Sequence, residues 1–222
     1  MSIPKIIHQI WIGNRQRPEA LMDSCRVMNP TWEYRLWTEE NLPTDFVNQE
    51  KIDSMAKNQP HYPEAGMSDI IRYELLYRYG GFYIDADTQF INPLDDYLTK
   101  NDSFCCFENE DTRGILLANG YIAATRGNAL MGLLIEQLRQ KESVTRDLPW
   151  IETGPLFFTQ TVVNHEYDRL TVYPSHFFIP QHFSGTKMYQ GPDRTYCIHH
   201  WGSTVNMYAP AGTGSLPSEG EV

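Results

Sequence analysis

The stretch Gly80-Gly81-Phe82-Tyr83-Ile84-Asp85-Ala86-Asp87-Thr88 is the strongest indication of fold and function in this chain of 222 residues. It ends an apolar, aromatic run with two carboxylates two residues apart. Because successive strand side chains point to opposite faces, we expect Asp85 and Asp87 to converge while Ala86 faces away. Carboxylates held together repel each other unless a cation neutralises them, and oxygen ligands favour hard ions such as Mg²⁺ or Mn²⁺. The stretch therefore predicts a metal–diphosphate site.

The residues before this stretch predict a helix that leads directly into it. Pro63 suits the first turn, residues 70–77 supply a wide apolar face, and Gly80-Gly81 ends the helix. Asp69 and Arg72 are three positions apart and therefore share one face of this helix. Taken alone, the pair is best interpreted as a surface ion pair. Its position before the two aspartates favours a place at the edge of the same crevice.

Strands and helices alternate along the chain, the pattern of an α/β domain. Strands are predicted at 5–12, 33–38, 82–85, 104–108, 120–124, 170–173 and 196–201, and further helices at 17–28, 130–142 and 156–164. We expect one domain over residues 1–208, with a central, mostly parallel sheet flanked by helices. Residues 209–222 contain mainly Gly, Pro, Ser and Glu and predict a disordered tail or an interdomain linker.

Charge and cysteine content narrow the class of protein. The net charge is −10 and the basic residues form no run, which argues against a nucleic-acid partner. The four cysteines lack Cys-x-x-Cys spacing, so we expect reduced thiols, with Cys105 and Cys106 buried in a strand. No segment approaches 18 apolar residues and no signal peptide is recognisable. These features predict a cytoplasmic protein without a membrane span.

Four blocks of sequence carry a family resemblance. They are residues 3–11 (IPKIIHQIW), residues 68–87 around the two aspartates, residues 153–155 (TGP) and residues 198–201 (IHHW). In this order they resemble the glycosyltransferases with an Asp-x-Asp sugar-binding region, family 32, and the related large clostridial toxin glycosyltransferases. The resemblance implies a single nucleotide-binding, Rossmann-like domain of the GT-A type. It also implies a nucleotide-sugar donor, Mn²⁺ or Mg²⁺, and transfer with retention at the anomeric carbon.

The resemblance also implies roles for individual residues around the donor. Ile10 and Trp11 would line the base pocket, and Asp69 and Arg72 would contact the sugar of the donor. We expect these last two residues, with the two aspartates of the motif, to form the catalytic centre.

The metal ligands follow from the same resemblance. Asp85 would hold the ribose or a metal-bound water, and Asp87 would ligate the metal directly. A C-terminal histidine, His199 or His200, would complete the protein ligands. Only one of two neighbouring strand side chains should face the site, and His199 is preferred because Ile198-His199 resembles the related glycogenin-type transferases more closely.

Three further positions are candidates for donor binding. Asn119 offers an amide near the sugar, although Asn-Gly is the commonest hairpin turn and the turn is the favoured interpretation. Gly154 belongs to the third block, and Ser203 could reach a phosphate. The family's C-terminal element usually continues to Ser-Trp, and this chain lacks that tryptophan after Ser203.

The mechanism and two rival functions follow from the carboxylates. No nucleophile stands out beside Asp85 and Asp87, which fits a front-side reaction in which the departing phosphate takes the acceptor's proton. We expect a UDP-sugar ahead of a GDP-sugar, a hexosyl or deoxyhexosyl group, a glycan or other acceptor, and further transferase domains beyond the tail. A weakly catalytic nucleotide-sugar-binding module is one alternative. An Asp-x-Asp phosphatase is another, but Gln89 stands where such enzymes have Thr or Val.

Overall fold

A computed structural model describes residues 2–202, 204 and 205, and within them a central sheet lies between helices. Its strands are β1 (Ile6–Ile10), β2 (Glu33–Trp37), β3 (Gly81–Ile84), β4 (Thr88–Phe90), β5 (Ser103–Phe107), β6 (Leu117–Ala124), β7 (Leu170–Tyr173) and β8 (Cys197–His199). Its α-helices are α1 (Glu19–Met28), α2 (Gln49–Asn58), α3 (Pro63–Tyr79), α4 (Glu110–Arg113), α5 (Ala129–Gln140), α6 (Pro149–Glu152) and α7 (Pro155–Asn164). Short 3₁₀ helices cover Asp96–Lys100 and Ser175–Phe177.

The six-stranded sheet has the order β2-β1-β3-β6-β5-β7. Within the described ranges, β6 pairs antiparallel with both neighbours and the other pairs are parallel. The predicted α/β fold with a mostly parallel sheet is therefore confirmed. Five strands run the same way, so their carboxyl ends share one edge, where ligands bind in open α/β sheets.

The predicted junction between helix and strand depends on two glycines with positive φ. Gly80 ends α3 with a φ of 66°, and Gly81 opens β3 with a φ of 107°. A Cβ at Gly81 would lie 2.6 Å from the carbonyl oxygen of Ile6 in β1. Only glycine tolerates this conformation and this contact. The pair therefore lets the chain leave the helix and enter the sheet beside β1, where Phe82 pairs with Ile7.

Helix α3 is buried on its polar side as well as its apolar side. Ile70, Ile71 and Leu75 have no exposed surface, while Asp69 and Arg72 are only 6% and 4% exposed. The surface ion pair favoured for Asp69 and Arg72 in isolation is therefore wrong. The helix packs against the sheet between α2 and α5, so its charged side is enclosed by neighbouring elements.

Strand β6 corrects another local expectation. Asn119 and Gly120, expected as a hairpin turn, lie inside this eight-residue strand, in which every residue is buried. The strand lies between β3 and β5 and pairs with both. Burial against two neighbouring strands outweighs the turn preference of the dipeptide, because strand propensity depends strongly on tertiary packing.

Strands β4 and β8 form a separate antiparallel ribbon, with Thr88 opposite His199. The C-terminal strand is shorter than the predicted 196–201, because Trp201 adopts a left-handed backbone with a φ of 55°. The ribbon joins the segment after β3 to the end of the described chain.

The remaining sequence expectations concern thiols, membranes and the tail. All four cysteines are free and buried, and Cys105 and Cys106 lie in β5 as predicted. No helix in the described ranges is both long and apolar enough to cross a bilayer. The predicted tail or linker at 209–222 lies outside the described residues, as does Ser203.

Candidate metal and donor site

The two aspartates and one histidine meet where β3 ends and the β4–β8 ribbon begins. Asp85 directly follows β3, and the N–H of Thr88 donates to the Asp85 carbonyl across a turn at 3.2 Å. This turn, rather than strand alternation, aims Asp85 and Asp87 together. The ribbon then places His199 opposite Thr88. One ligand atom from each of the three side chains lies within 4.8 Å of the others.

Asp87 and His199 form a largely enclosed ion pair, with side chains 12% and 10% exposed. The Asp87 Oδ1 atom lies 3.1 Å from His199 Nε2, and the N–H of Gly202 donates to Asp87 Oδ2 at 2.6 Å. Burial disfavours the charged form of both groups, but the Asp87 carboxylate outweighs burial and raises the pKa of His199. The His199 imidazole and the Gly202 N–H in turn lower the pKa of Asp87. His199 Nδ1 is buried without a hydrogen-bond partner among the described residues. Two carboxylates and an imidazole are a donor set suited to a divalent metal.

His200 is directed elsewhere. Its Nε2 atom lies 3.1 Å from the side-chain oxygen of Gln89, and its backbone N–H donates to the carbonyl of Asp87 at 3.0 Å. Among the described residues, the cluster that could hold a metal contains His199 and not His200.

Asp69 is the centre of a buried hydrogen-bond network. Its Oδ1 accepts from Asn119 Nδ2 at 2.7 Å and lies 3.1 Å from Arg72 Nη2, while its Oδ2 accepts from Thr153 Oγ1 at 3.0 Å. Burial is the largest influence and raises the pKa of Asp69 to about 6, although Arg72, Asn119 and Thr153 act in the opposite direction. The carboxylate is thus fixed by residues from three separate segments.

Arg72 connects this network to the metal motif. Its Nη1 donates to the Asn119 carbonyl at 2.8 Å and lies 3.5 Å from Asp85 Oδ1. The guanidinium packs over the Tyr83 ring at 4.2 Å, and the Tyr83 hydroxyl donates to Asp85 Oδ1 at 3.0 Å. Because protein oxygens already engage its N–H groups, Arg72 mainly orients Asp69 and Asp85.

Two glycines make room for these carboxylates. A Cβ at Gly120 would lie 2.2 Å from Asp85 Oδ2, and one at Gly154 would lie 3.1 Å from Asp69 Oδ2. A Cβ at Gly154 would meet the Cα of Trp150 more closely still, at 2.7 Å, and Gly154 itself does not line the cleft described below. Neither constraint can be read from the local sequence, since each concerns a residue on another element.

A cleft of about 280 Å³ collects most of the predicted site residues. It is lined by Ile10, Trp11, Asp69, Arg72, Asp85, Asp87, Asn119 and His199, together with three residues without a predicted role, Tyr83, Trp150 and Trp201. The sequence did contain a signal that could have identified Tyr83 as a site residue, since it lies within the motif two residues before Asp85. Trp201 stacks on His199 at 4.3 Å between ring centroids and brings a tryptophan to the cleft despite the missing Ser-Trp dipeptide.

Comparison with known proteins shows what part of this chain resembles. Residues 16–104, which include α3, β3 and both aspartates, match the model described as "Glycosyltransferase sugar-binding region containing DXD motif". The chain is 28% identical over 166 residues to inositol phosphoceramide mannosyltransferase 1 of Schizosaccharomyces pombe, an alignment covering 71% of this chain and 50% of that protein. It is 32% identical over 165 residues to inositol phosphoceramide mannosyltransferase 2 of the same yeast, covering 69% and 44%. The chain thus spans about half the length of these curated relatives.

Solved structures support the fold. The PaToxG glycosyltransferase matches with a TM-score of 0.60 at 18% identity, over 74% of this chain and 70% of that chain. The ligand-free glycosyltransferase domain of the YGT toxin matches with a TM-score of 0.57 at 10% identity, over 78% and 80%. Residues 16–104 therefore resemble the glycosyltransferase sugar-binding region with its DXD motif, and the chain has the fold of the GT-A glycosyltransferase domains.

Proposed function

We propose that this chain transfers a sugar from a nucleotide-sugar donor to a hydroxyl group of an acceptor, with the help of a divalent metal. One observation carries the proposal: the Asp85–Asp87–His199 cluster and the buried Asp69–Arg72 pair line a single cleft at the carboxyl edge of the sheet. A metal cluster beside fixed polar groups at this edge suits a ligand with a diphosphate at one end and a sugar at the other.

In this proposal the metal is Mn²⁺ or Mg²⁺, and Asp87 and His199 hold it directly. When bound, it would neutralise the charge that develops on the diphosphate leaving group. Asp85, whose Oδ1 contacts Tyr83 and Arg72, would bind the ribose or a metal-bound water. Metal binding would require His199 to release any proton it holds, because a metal ligand must be a neutral imidazole.

In this proposal the donor lies along the cleft, with its base near Ile10 and Trp11 and its sugar near Asp69 and Asn119. Ile10 and Trp11 at the end of β1 contact the base, and the Trp11 indole is held by its hydrogen bond to the Arg15 carbonyl at 3.0 Å. Asp69 and Asn119 accept and donate hydrogen bonds to the sugar hydroxyls. We favour a uridine donor, and a YGT toxin domain of similar fold was solved with UDP. The curated relatives are named mannosyltransferases, so mannose is the first hexose to test.

We further propose that the anomeric configuration is retained. Asp69 is engaged by Arg72, Asn119 and Thr153, and Asp85 and Asp87 belong to the metal cluster, so none of these carboxylates is free to form a covalent intermediate. The leaving phosphate oxygen would take the acceptor's proton as the new glycosidic bond forms on the same face. Detection of a glycosyl-enzyme adduct by intact-protein mass spectrometry would contradict this part of the proposal.

Thermal unfolding with UDP and with GDP, each with and without Mn²⁺, tests the binding site. A ligand at about 100 times its dissociation constant should add roughly 2.7 kcal/mol to the free energy of unfolding. We expect one nucleotide to stabilise the wild type only with Mn²⁺. Asp87→Asn and His199→Gln should abolish that effect, whereas the adjacent matched control His200→Gln should keep it.

The assay for turnover uses UDP-glucose and GDP-mannose with inositol phosphoceramide in micelles, an acceptor class named for the relatives, and with a glycan mixture. Transfer of the sugar would support the proposal. Tight donor binding without transfer or donor hydrolysis would favour the binding-module alternative, and phosphate release from p-nitrophenyl phosphate would favour the phosphatase. If neither nucleotide stabilises the folded wild type, the proposed function is wrong.

A further inference from the structure

A second, smaller cavity adjoins the donor cleft and contains a carboxylate that the proposed function does not use. Its volume is about 110 Å³, and Asp85, Asn119, His199 and Trp201 line both it and the cleft. Glu108, the residue after β5, contributes the additional carboxylate. Glu108 is also close enough for its charge to add to the rise in the pKa of His199.

The Glu108 side chain is buried, and one of its two carboxylate oxygens contacts neighbouring side chains. The residue is 7% exposed, and its Oε1 lies 3.1 Å from His182 Nε2 and 3.2 Å from Arg113 Nε. No hydrogen bond from a described residue reaches its Oε2. Since Oε2 is not among the fully buried polar atoms that lack a partner in the described residues, it remains accessible, and Glu108 lines the cavity, where a hydroxyl could donate a hydrogen bond to it.

The partners of Glu108 are themselves fixed. His182 is 2% exposed, and its Nδ1 lies 2.7 Å from Ser184 Oγ. Its ring packs against Trp201 at 4.9 Å, and the Arg113 guanidinium lies over the Trp150 ring at 5.3 Å. Both tryptophans line the donor cleft. The orientation of Glu108 is therefore coupled to the walls of the donor site.

The order of the strands determines how far Glu108 lies from the proposed position of the donor. Along the sheet edge, β1 carries the proposed base contacts, β3 precedes the metal cluster, β6 carries Asn119, and β5 precedes Glu108. Neighbouring strands are about 4.8 Å apart, so Glu108 lies two strands, about 10 Å, from the metal motif. A sugar attached to the diphosphate would extend over β6, and the next group along the edge is the acceptor.

We propose that the Glu108 cavity binds the acceptor, and that Glu108 Oε2 accepts a hydrogen bond from a hydroxyl next to the attacking one. This inference rests on the proposed function. The attacking hydroxyl keeps its proton for the leaving phosphate, so the carboxylate must bind a neighbouring hydroxyl. The acceptor is therefore a polyol with adjacent hydroxyl groups. At about 30 Å³ per water, the cavity has room for a few hydroxyl-bearing carbons and not for a whole glycan.

The test compares a polyol with a simple alcohol in the same enzyme. Donor cleavage is followed as nucleotide release from UDP-glucose or GDP-mannose in water alone, with myo-inositol, and with methanol, and the glycoside products are quantified. Asp111→Asn is the matched control, since it removes an equal charge from an exposed position in α4. Melting temperature and donor dissociation constant are measured for every variant.

We expect the wild type to prefer myo-inositol over methanol at equal concentration. Glu108→Gln should lower that preference about 10- to 100-fold, the range expected for losing a hydrogen bond to a charged group, with donor affinity and hydrolysis within threefold of the wild type. Arg113→Gln, which frees Glu108 without removing it, should lower the preference by a smaller factor, and Asp111→Asn should not change it.

Two results would overturn the assignment. One is an unchanged preference in a folded Glu108→Gln protein, and the other is a parallel loss of hydrolysis, methanol transfer and inositol transfer. If Glu108→Gln does not fold, Arg113→Gln decides, because an unchanged preference there also contradicts the assignment. A wild type that binds neither donor overturns the proposed function, and this inference with it.

Discussion

Gly120→Ala tests whether the position of Asp85 controls the candidate metal and donor site. Gly120 has an ordinary strand backbone, so alanine adds no conformational strain, but its Cβ would lie 2.2 Å from Asp85 Oδ2. An ordinary carbon–oxygen contact is about 3.3 Å, so the carboxylate must move by about 1 Å. Asp85 Oδ2 lies 4.0 Å from His199 Nε2, and Oδ1 is bound by Tyr83. The shift therefore breaks the cluster or the Tyr83 hydrogen bond.

The expected effect is large on binding and moderate on stability. Misplacing a site group by about 1 Å costs roughly 100-fold, and disturbing a metal site's supporting contacts costs about 10- to 100-fold in affinity. We expect the Mn²⁺-dependent nucleotide dissociation constant, measured by isothermal titration calorimetry, to rise by about that factor. Overpacking should lower the free energy of unfolding by about 1–3 kcal/mol. Gly132→Ala, in helix α5, adds the same methyl group away from the site and should leave binding unchanged.

A double-mutant cycle makes this prediction specific. In an Asp85→Ser background the clashing carboxylate is gone, so Gly120→Ala should have little further effect on nucleotide binding. If Gly120→Ala costs the same in both backgrounds, the loss does not act through Asp85 and the reasoning is wrong. Wild-type affinity in a folded Gly120→Ala protein would also refute it.

Three further predictions address the buried network and the glycine junction. Folding raises the pKa of Asp69 from 3.8 to about 6, so the folded protein holds the Asp69 proton more tightly than the unfolded protein does. The protonated carboxyl therefore stabilises the fold below pH 4, and this stabilisation is lost as the pH rises through 6. Urea unfolding should thus show wild type losing about 2 kcal/mol relative to Asp69→Asn between pH 4 and pH 7, and a pH-independent difference would contradict the raised pKa. Gly81→Ala should lower the free energy of unfolding by more than about 2 kcal/mol, because the new Cβ would meet the Ile6 carbonyl at 2.6 Å. Gly114 also has a positive φ but open space around it, so Gly114→Ala should lower the free energy of unfolding by only about 1 kcal/mol. Equal losses for the two variants in thermal unfolding would exclude the steric explanation. Tyr83→Phe removes the hydrogen bond to Asp85 and should weaken Mn²⁺-dependent nucleotide binding about 5-fold by calorimetry, while unchanged binding would show that Tyr83 does not orient this carboxylate.

Much of the fold could be predicted from local sequence. The apolar face of residues 70–77, the glycine pair and the strand after it specified the α3–β3 unit, because helix periodicity, a positive-φ stop and a buried aromatic strand are all local properties. The alternation of the remaining elements specified an α/β domain. Asp85 and Asp87 were recognisable as a pair because they are adjacent in sequence, although a turn rather than strand alternation brings them together.

Contacts between elements far apart in the sequence complete the site, and local patterns could not predict them. His199 rather than His200 joins the aspartates because the β4–β8 register places His199 opposite Thr88, and register is a property of two strands together. Asn119 lies beside Asp69 because packing between β3 and β5 outweighs a turn signal. Glu108 is 74 positions from His182 along the chain, so no spacing rule could connect them. Local sequence was enough to predict the elements and the candidate metal motif, whereas strand pairing sets the rest of the site, because those contacts form only on folding.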